Sequence, residues 1–285
     1  MPMQSVRALA ATIEDTGETW TSWFYKTGGP SNAGAKRWLD ASMGAGTPKY
    51  NAYVGSQGEA TALVGTRNNS IYVGPGIDAG KTRYLHSVQM ICAIANLAPS
   101  TWMLLDYLLC YPLIDGDSTD QQDMVQTDAI PRYASGQVMI VCTTPAVTDA
   151  QATMIYTNEA GVAGRSTQVN LRFQNQVGHI LSGPNTAQAP LTPFVTLQSG
   201  DAGVKSIESI TLATPLGGFA AAVIVQPVTT WTIPDNNLFC EVNPFKDKAV
   251  LPEIRNGAYL NLIYLQLGAA VTALPIMGHL QFVWS

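Results

Sequence analysis

Apolar and polar positions alternate along much of the chain between residues 81 and 285. In QVNLRFQ (168–174) the apolar side chains occupy every second position, and HLQFVWS (279–285) repeats the pattern. Because side chains on a strand point alternately to its two faces, this period of two predicts strands with one buried face. Six further segments have the same strand character: GQVMIVCTT, ATMIYTN, FVTLQS, SIESITLA, FAAAVIVQPV and AYLNLIYLQL.

Turn-forming residues separate these segments at short spacing. Gly, Pro, Asn and Asp cluster in SGPNTAQAPLTP, in IPDNN and in IRNGAY, between runs rich in Thr, Val and Ile. At least eight strands separated in this way predict a mainly β protein. The expected fold over residues 81–285 is an antiparallel β-sandwich that is jelly-roll-like.

Residues 1–80 differ from the rest of the chain. They are rich in Gly, Ala, Ser, Thr and Asn, and Gly recurs too often for a long regular element. We therefore predict an extended, irregular N-terminal arm. Large aromatic side chains in such a segment become buried against the same chain or against a neighbour. The predicted partner contacts of the arm are Trp20, Trp23, Phe24 and Trp38.

The low content of charged residues favours protein partners over nucleic acid. The chain is 46% apolar and only 12% charged, against roughly 25% charged for an ordinary soluble domain. A surface with so few charges suits a protein that is largely covered by other proteins. The formal net charge is −5 and no run of basic residues occurs, so no nucleic-acid partner is expected.

The cellular compartment is suggested by the cysteines and by the N-terminus. Four cysteines lie far apart and form no CxxC pair, which favours reduced thiols in a cytosol. The first residues lack a basic stretch followed by an apolar core, so no signal peptide is expected. The longest apolar stretch, 102–114, is too short to span a membrane and contains Asp106. No membrane partner is therefore predicted.

Catalytic motifs are weak. GPGIDAGKT (74–82) resembles a phosphate-binding loop, but the position of its first required glycine is occupied by Pro75, which has no N–H to offer. The three histidines lie far apart, no HExxH occurs, and no GxSxG nucleophile motif is present. We therefore expect a protein that is not an enzyme.

YPLIDGDSTDQQD (111–123) concentrates four aspartates directly after an apolar run. Three interpretations remain open: a cation site, a catalytic carboxylate cluster, or a polar loop whose side chains bond to nearby backbone. Calcium is the cofactor that would fit, with Asp115, Asp117 and Asp120 as candidate ligands. The EF-hand pattern is not met, since the sixth position is not Gly and the twelfth is not Glu. The polar loop is the favoured interpretation, so no cofactor is expected.

Several segments resemble virion structural proteins of tailed bacteriophages, a poorly characterised group. The matching pieces are LLDYLLCYPLIDGDSTD (104–120), IPRY (130–133), YTNEAGVAGRST (156–167), LQSGDAGVKSIESIT (197–211) and LPEIRNGAYLNLIYL (251–265). The resemblance covers roughly residues 100–285. It implies a component of the virion, assembled in the cytoplasm of a bacterial host, and it implies no site residue.

These observations together predict a structural virion protein that stabilises a capsid shell as a cement or decoration protein. It would form a homo-oligomer, a trimer by preference, and would bind the major capsid protein or other virion proteins. The alternative is a tail-associated module that binds a receptor or a glycan. An enzyme, either a nucleotide hydrolase or a glycosidase, is the third and least favoured possibility.

Overall fold

The computed structural model describes residues 18–27, 37–77, 80–92, 99–172, 176–182, 192–235, 238–244, 251–266 and 275–284. Sixteen strands and one short 3-10 helix, Ala41–Met43, lie in these ranges. The strands are β1 (Thr19–Lys26), β2 (Arg37–Asp40), β3 (Gly46–Thr47), β4 (Thr61–Ala62), β5 (Arg83–Cys92), β6 (Ser100–Asp115), β7 (Gln122–Asp123), β8 (Gln137–Cys142), β9 (Ala150–Asn158), β10 (Arg165–Leu171), β11 (Val204–Leu212), β12 (Phe219–Ile233), β13 (Phe239–Val242), β14 (Glu253–Ile254), β15 (Leu260–Gln266) and β16 (Ile276–Trp284).

These strands form three antiparallel sheets, which confirms the predicted β-sandwich. Sheet A has the order β13-β5-β16-β1-β3, with β14 also paired to β5. Sheet B has the order β2-β15-β6-β12-β8, with β4 also paired to β6, and sheet C has the order β10-β9-β11-β7. A jelly roll has two sheets, so the arrangement carries one sheet more than the sequence predicts.

The third sheet follows from the length of two central strands. β6 has 16 residues and β12 has 15, and the two pair along their whole length in sheet B. At one end, Trp102 and Trp231 of these strands enter a core shared with sheet A. At the other end, Leu109 and Ile224 enter a second core shared with sheet C. The two sandwiches therefore share one sheet.

The opposite face of sheet B is covered by the early part of the chain. Trp38, Met43 and Tyr53 pack there against Tyr107 and Val223 in a third apolar cluster. A buried carboxylate fixes this cover, because Asp40 accepts hydrogen bonds from the Ser42 N–H and the Tyr107 hydroxyl, each at 2.8 Å, and from the Tyr53 hydroxyl. Burial in the apolar surroundings raises the pKa of Asp40.

The predicted division into an arm (1–80) and a sandwich (81–285) needs correction for the described residues. β1 pairs with β16 over all eight of its residues, so it is an interior strand of sheet A. β2 pairs with β15 and β4 pairs with β6. Irregular backbone does prevail between residues 48 and 77, as the glycine content predicts. These early strands nevertheless complete the sheets, because each finds its hydrogen-bonding partner far along the chain.

Candidate assembly surface

The outer face of sheet A carries an apolar row that crosses four neighbouring strands. Tyr25, Met277, Ile91 and Phe239 stand opposite one another in the register of β1, β16, β5 and β13. Tyr25 is 43% exposed, Met277 48% and Phe239 59%, while Ile91 is half-buried. We call these four residues the outer row. A continuous exposed apolar strip of this kind marks an interaction site more often than scattered apolar residues do.

A second row lies one step along the same face, two residues further on each strand. Trp23, His279, Gln89 and Glu241 stand opposite one another in the same register. Trp23 is 69% exposed, and its ring centroid lies 4.5 Å from that of His279. Partial burial lowers the pKa of His279, and the charge of Glu241 opposes that shift. Glu241 is the one acidic residue of these two rows, and neither row contains Lys or Arg.

Core packing on the inner face of sheet A determines which side chains lie on its outer face. Phe24, Leu280 and Val88 point inward into the core shared with sheet B, so their neighbours in sequence must point outward. Gly278 lets β1, β16 and β5 approach closely, because a Cβ there would clash with the Gln89 carbonyl oxygen and would lie 2.6 Å from the Phe24 ring. The register of the two rows is therefore set by core packing.

The structure separates the four aromatic residues predicted to contact a partner. Phe24 and Trp38 are each only 2% exposed and belong to the protein's own core, which corrects the prediction for them. Trp20 is half-buried: its indole N–H donates to the Ser22 hydroxyl at 2.8 Å, and the Arg67 guanidinium lies over its ring. Of the four, Trp23 alone has a largely exposed side chain, and its role as a contact stays a prediction.

The aspartate loop is held by its own hydrogen bonds. Asp115 Oδ1 accepts the Asp117 N–H at 2.9 Å, and Asp120 N–H donates to Ser118 Oγ at 3.3 Å. The Gln122 amide bonds both to the N–H and to the carbonyl oxygen of Asp115, each at 2.8 Å. Among the described residues, no three His, Cys, Asp or Glu side chains are grouped to hold a metal, and this includes Asp115, Asp117 and Asp120. The less favoured alternative, a calcium site at this loop, stays a hypothesis.

The glycine-rich segment that resembles a phosphate-binding loop has other contacts. Gly74 adopts φ +95° and lies against the ring of Trp20, so its lack of a side chain is needed for packing. Lys81, the lysine of the motif, forms an ion pair with Glu18. The Pro75 carbonyl accepts a hydrogen bond from Arg83. Residues 78 and 79 of the segment lie outside the described ranges.

The thiols of the described cysteines are not in an activating environment. All four are free, and three of them are buried. Burial raises the pKa of Cys92 to about 12 and that of Cys142 to about 11. Because the thiolate is the nucleophile, such shifts oppose reactivity at neutral pH.

Sequence reasoning missed most of the exposed face. Met277, Ile91 and Phe239 lie outside the segments whose alternation predicts strands, so no role is predicted for them. Two signals were available. Met277 is an even number of residues from the polar His279 and Gln281, so the three side chains lie on the same face of the strand. In β1 the bulky aromatics Trp23 and Tyr25 lie on one face, and Ser22 and Lys26 lie on the other.

Comparison with known proteins adds little. No protein-family model matches the chain, and no curated protein matches it significantly. A crystal structure of an infectious bursal disease virus VP2 subviral particle is 9% identical with a TM-score of 0.19, over 98% of this chain and 86% of that one. Infectious bursal virus derived T=1 particles are 10% identical with a TM-score of 0.18, over 98% and 84%. At TM-scores this low, the likeness decides neither topology nor function. In the described ranges, no helix has the length and apolar character needed to cross a bilayer.

Proposed function

We propose that this chain is a non-enzymatic structural protein of a bacteriophage virion, a cement or decoration protein that stabilises the capsid shell. Its mechanism would be the addition of interface between proteins of the shell, without chemistry. The observation that carries the proposal is the outer face of sheet A, where Trp23 at 69% exposure adjoins the outer row. The resemblance of residues 100–285 to virion structural proteins supports the same assignment.

The composition of this face suits a protein contact. Aromatic and Met side chains are enriched at the centres of interfaces, where charged residues are depleted. The two rows supply Trp23, Tyr25, Phe239 and Met277 and a single carboxylate, that of Glu241. A few well-packed aromatic residues supply most of the binding energy of a typical interface. The face therefore has the make-up of an energetic centre rather than of a solvated rim.

The proposed location is the virion, after synthesis in the bacterial cytoplasm. The free thiols agree with a reducing compartment. The proposed partners are further copies of the chain, in a trimer or another closed ring, and the major capsid protein or other virion proteins. Neither nucleic acid nor membrane is included among the partners, because the chain carries net charge −5 without a basic run.

The test uses capsid shells of the phage that encodes this chain, stripped of the protein and then given it back. The paired substitutions Trp23→Ser and Phe239→Ser should weaken rebinding at least tenfold, the effect expected when two aromatic anchors are removed. Val147→Ser with Val162→Ser is the matched control, because both valines are well exposed outside sheet A. Unchanged rebinding by the Trp23/Phe239 variant, or no rebinding by the wild type, would refute the proposal.

A second candidate function is recognition of a glycan on the host surface. The exposed indole of Trp23 favours it, because an aromatic ring that is largely exposed and held beside a second ring offers a plane on which a sugar can stack. A glycan array probed with wild type and with Trp23→Ser discriminates the two functions. Binding that depends on Trp23 would support the glycan function, and an array without hits would count against it.

A further inference from the structure

The outer row is symmetric in chemical type. Read across the sheet from β1 to β13, it runs aromatic, aliphatic, aliphatic, aromatic: Tyr25, Met277, Ile91, Phe239. A two-fold axis parallel to the strands, passing between β16 and β5, would place this row on its own copy. Tyr25 would then face Phe239 of a second copy, and Met277 would face Ile91. An isologous contact needs this kind of self-complementary surface.

The second row is complementary under the same axis. Trp23 would face Glu241 of the second copy, so that the indole N–H can donate to a carboxylate. His279 would face Gln89, whose amide can donate to or accept from an imidazole nitrogen. The Glu241 side chain of each copy therefore meets a hydrogen-bond donor of the other, and no like charges are brought together.

We propose that two copies of this chain pair face to face through sheet A, related by a two-fold axis between β16 and β5. This inference rests on the proposed function and names a second copy as the occupant of its contact surface. Pairing of this kind would join neighbouring subunits or neighbouring trimers on the shell. The two sheets would pack roughly 10 Å apart with their strands nearly aligned, as in other sheet-on-sheet contacts.

The small size of the surface sets the strength of the contact. Four strands at a spacing of roughly 4.8 Å, and two rows of side chains, cover on the order of 250 Å² per copy. A standard stable interface buries roughly 800 Å² per partner. Pairing in free solution should therefore be weak and visible only at high protein concentration. On a shell, where neighbouring copies are already held close, the same contact becomes effective.

Charge-swapped partners test the geometry. Met277→Glu and Ile91→Lys should each abolish concentration-dependent pairing in sedimentation equilibrium, because each places a charge against an apolar partner. An equimolar mixture of the two variants should pair again, at least as tightly as the wild type, because the introduced carboxylate of one copy would face the introduced ammonium group of the other. The control mixture, Val147→Glu with Val162→Lys, should pair like the wild type.

Folding is checked by melting curves, and a second variant set removes dependence on the half-buried Ile91. In that set Tyr25→Glu is mixed with Phe239→Lys, both at exposed positions. Restored pairing in either mixture supports the inference. Pairing that survives the single substitutions, a mixture that stays dissociated, or a wild type that never pairs would overturn it. If rebinding to stripped shells still depends on Trp23 and Phe239 in that case, the proposed function survives while the two-fold contact fails.

Discussion

Asp106 and Arg132 meet at two points inside the protein. Arg132 Nε lies 2.9 Å from Asp106 Oδ2, and Nη2 lies 2.7 Å from Oδ1. The Asp106 side chain is fully buried and that of Arg132 is 5% exposed. Further hydrogen bonds surround the pair, since Nη2 also donates to the carbonyls of Leu63 and Tyr107, and the Tyr259 N–H donates to Asp106. The pair thereby connects the irregular early segment, at Leu63, to β6 and to Tyr259 just before β15.

Arg132→Met should destabilise the protein strongly, because it leaves the Asp106 carboxylate buried without its cation. The expected loss in the free energy of unfolding is about 3–5 kcal/mol, measured by urea denaturation. Replacing both partners, Asp106→Leu with Arg132→Met, should recover much of that loss, since no charge then remains buried. The matched control is Arg165→Met, whose partner Asp201 keeps hydrogen bonds from Tyr156 and Asn158. A loss at Arg132 no larger than that at Arg165 would contradict this account.

His179 should make stability depend on pH. Its ring nitrogens are buried and have no hydrogen-bond partner among the described residues. Burial, together with the nearby charge of Arg37, lowers its pKa from 6.5 to about 4. The unfolded chain takes up a proton below about pH 6.5 and the folded chain only near pH 4, so stability falls as the pH falls through this window. The full loss is on the order of 3 kcal/mol.

The measurement is urea denaturation of the wild type and of His179→Phe at about pH 7, 5.5 and 4.5, which spans the window between the two pKa values. Phenylalanine has a similar shape and no proton to bind, so the variant should show a flatter profile across this window. The slope that remains in the variant belongs to other groups. Identical slopes in the two proteins would show that His179 does not titrate in the manner described.

Tyr53→Phe should destabilise the packing of the early part of the chain against sheet B. The Tyr53 hydroxyl donates to the buried carboxylate of Asp40, which would keep only the donors from Tyr107 and Ser42. Loss of one donor to a buried charged group should reduce the free energy of unfolding by about 1–3 kcal/mol. Tyr50→Phe, at a tyrosine that is half exposed, should change it little. Equal stability of the two variants in thermal or urea unfolding would remove the role given to this hydrogen bond.

Calcium should leave the melting temperature unchanged. Among the described residues Asp115, Asp117 and Asp120 are not grouped to hold a metal. One oxygen of Asp115 already accepts the Asp117 N–H, and one oxygen of Asp123 accepts the Gln121 amide at 2.7 Å. A ligand that binds only the folded state would raise stability in proportion to the logarithm of its concentration over its Kd. Differential scanning fluorimetry with millimolar calcium and with a chelator checks this. A rise with calcium that disappears in Asp117→Asn would reinstate the calcium site.

Local pattern predicted most of the strand segments and predicted their exposed faces poorly. FVTLQS (194–199) is an exception, because no strand lies there. The alternation in 168–171 and 279–284 corresponds to parts of β10 and β16. The sequence pattern does not predict β1, because its buried positions include the polar Ser22 and Lys26 beside Phe24. Its exposed positions carry the large aromatic residues Trp23 and Tyr25. Such inverted polarity does not resemble a strand of a soluble monomer, and it is the signature of the exposed face itself.

Interactions between distant parts of the chain lay beyond sequence reasoning. Lys26 is buried because its ammonium donates to the carbonyls of Gly44 and Pro48, at 3.0 and 2.7 Å, and this burial lowers its pKa to about 8. In the sequence Arg132 is part of IPRY, and its partner Asp106 interrupts an apolar run, so neither pattern points to the other. Pairs separated by many residues leave no periodic trace, because the fold alone brings them together.

The continuous pairing of β6 with β12 also determines how the protein would carry mechanical load. A pull on the outer row reaches sheet B through the core that Trp102 and Trp231 share with sheet A. From there it runs lengthwise along two strands of 16 and 15 residues to the core beneath sheet C. Hydrogen bonds loaded along the strands in shear must yield together, whereas bonds at a peeled edge yield one at a time. The two sandwiches should therefore resist tension as a single mechanical unit rather than separate from each other.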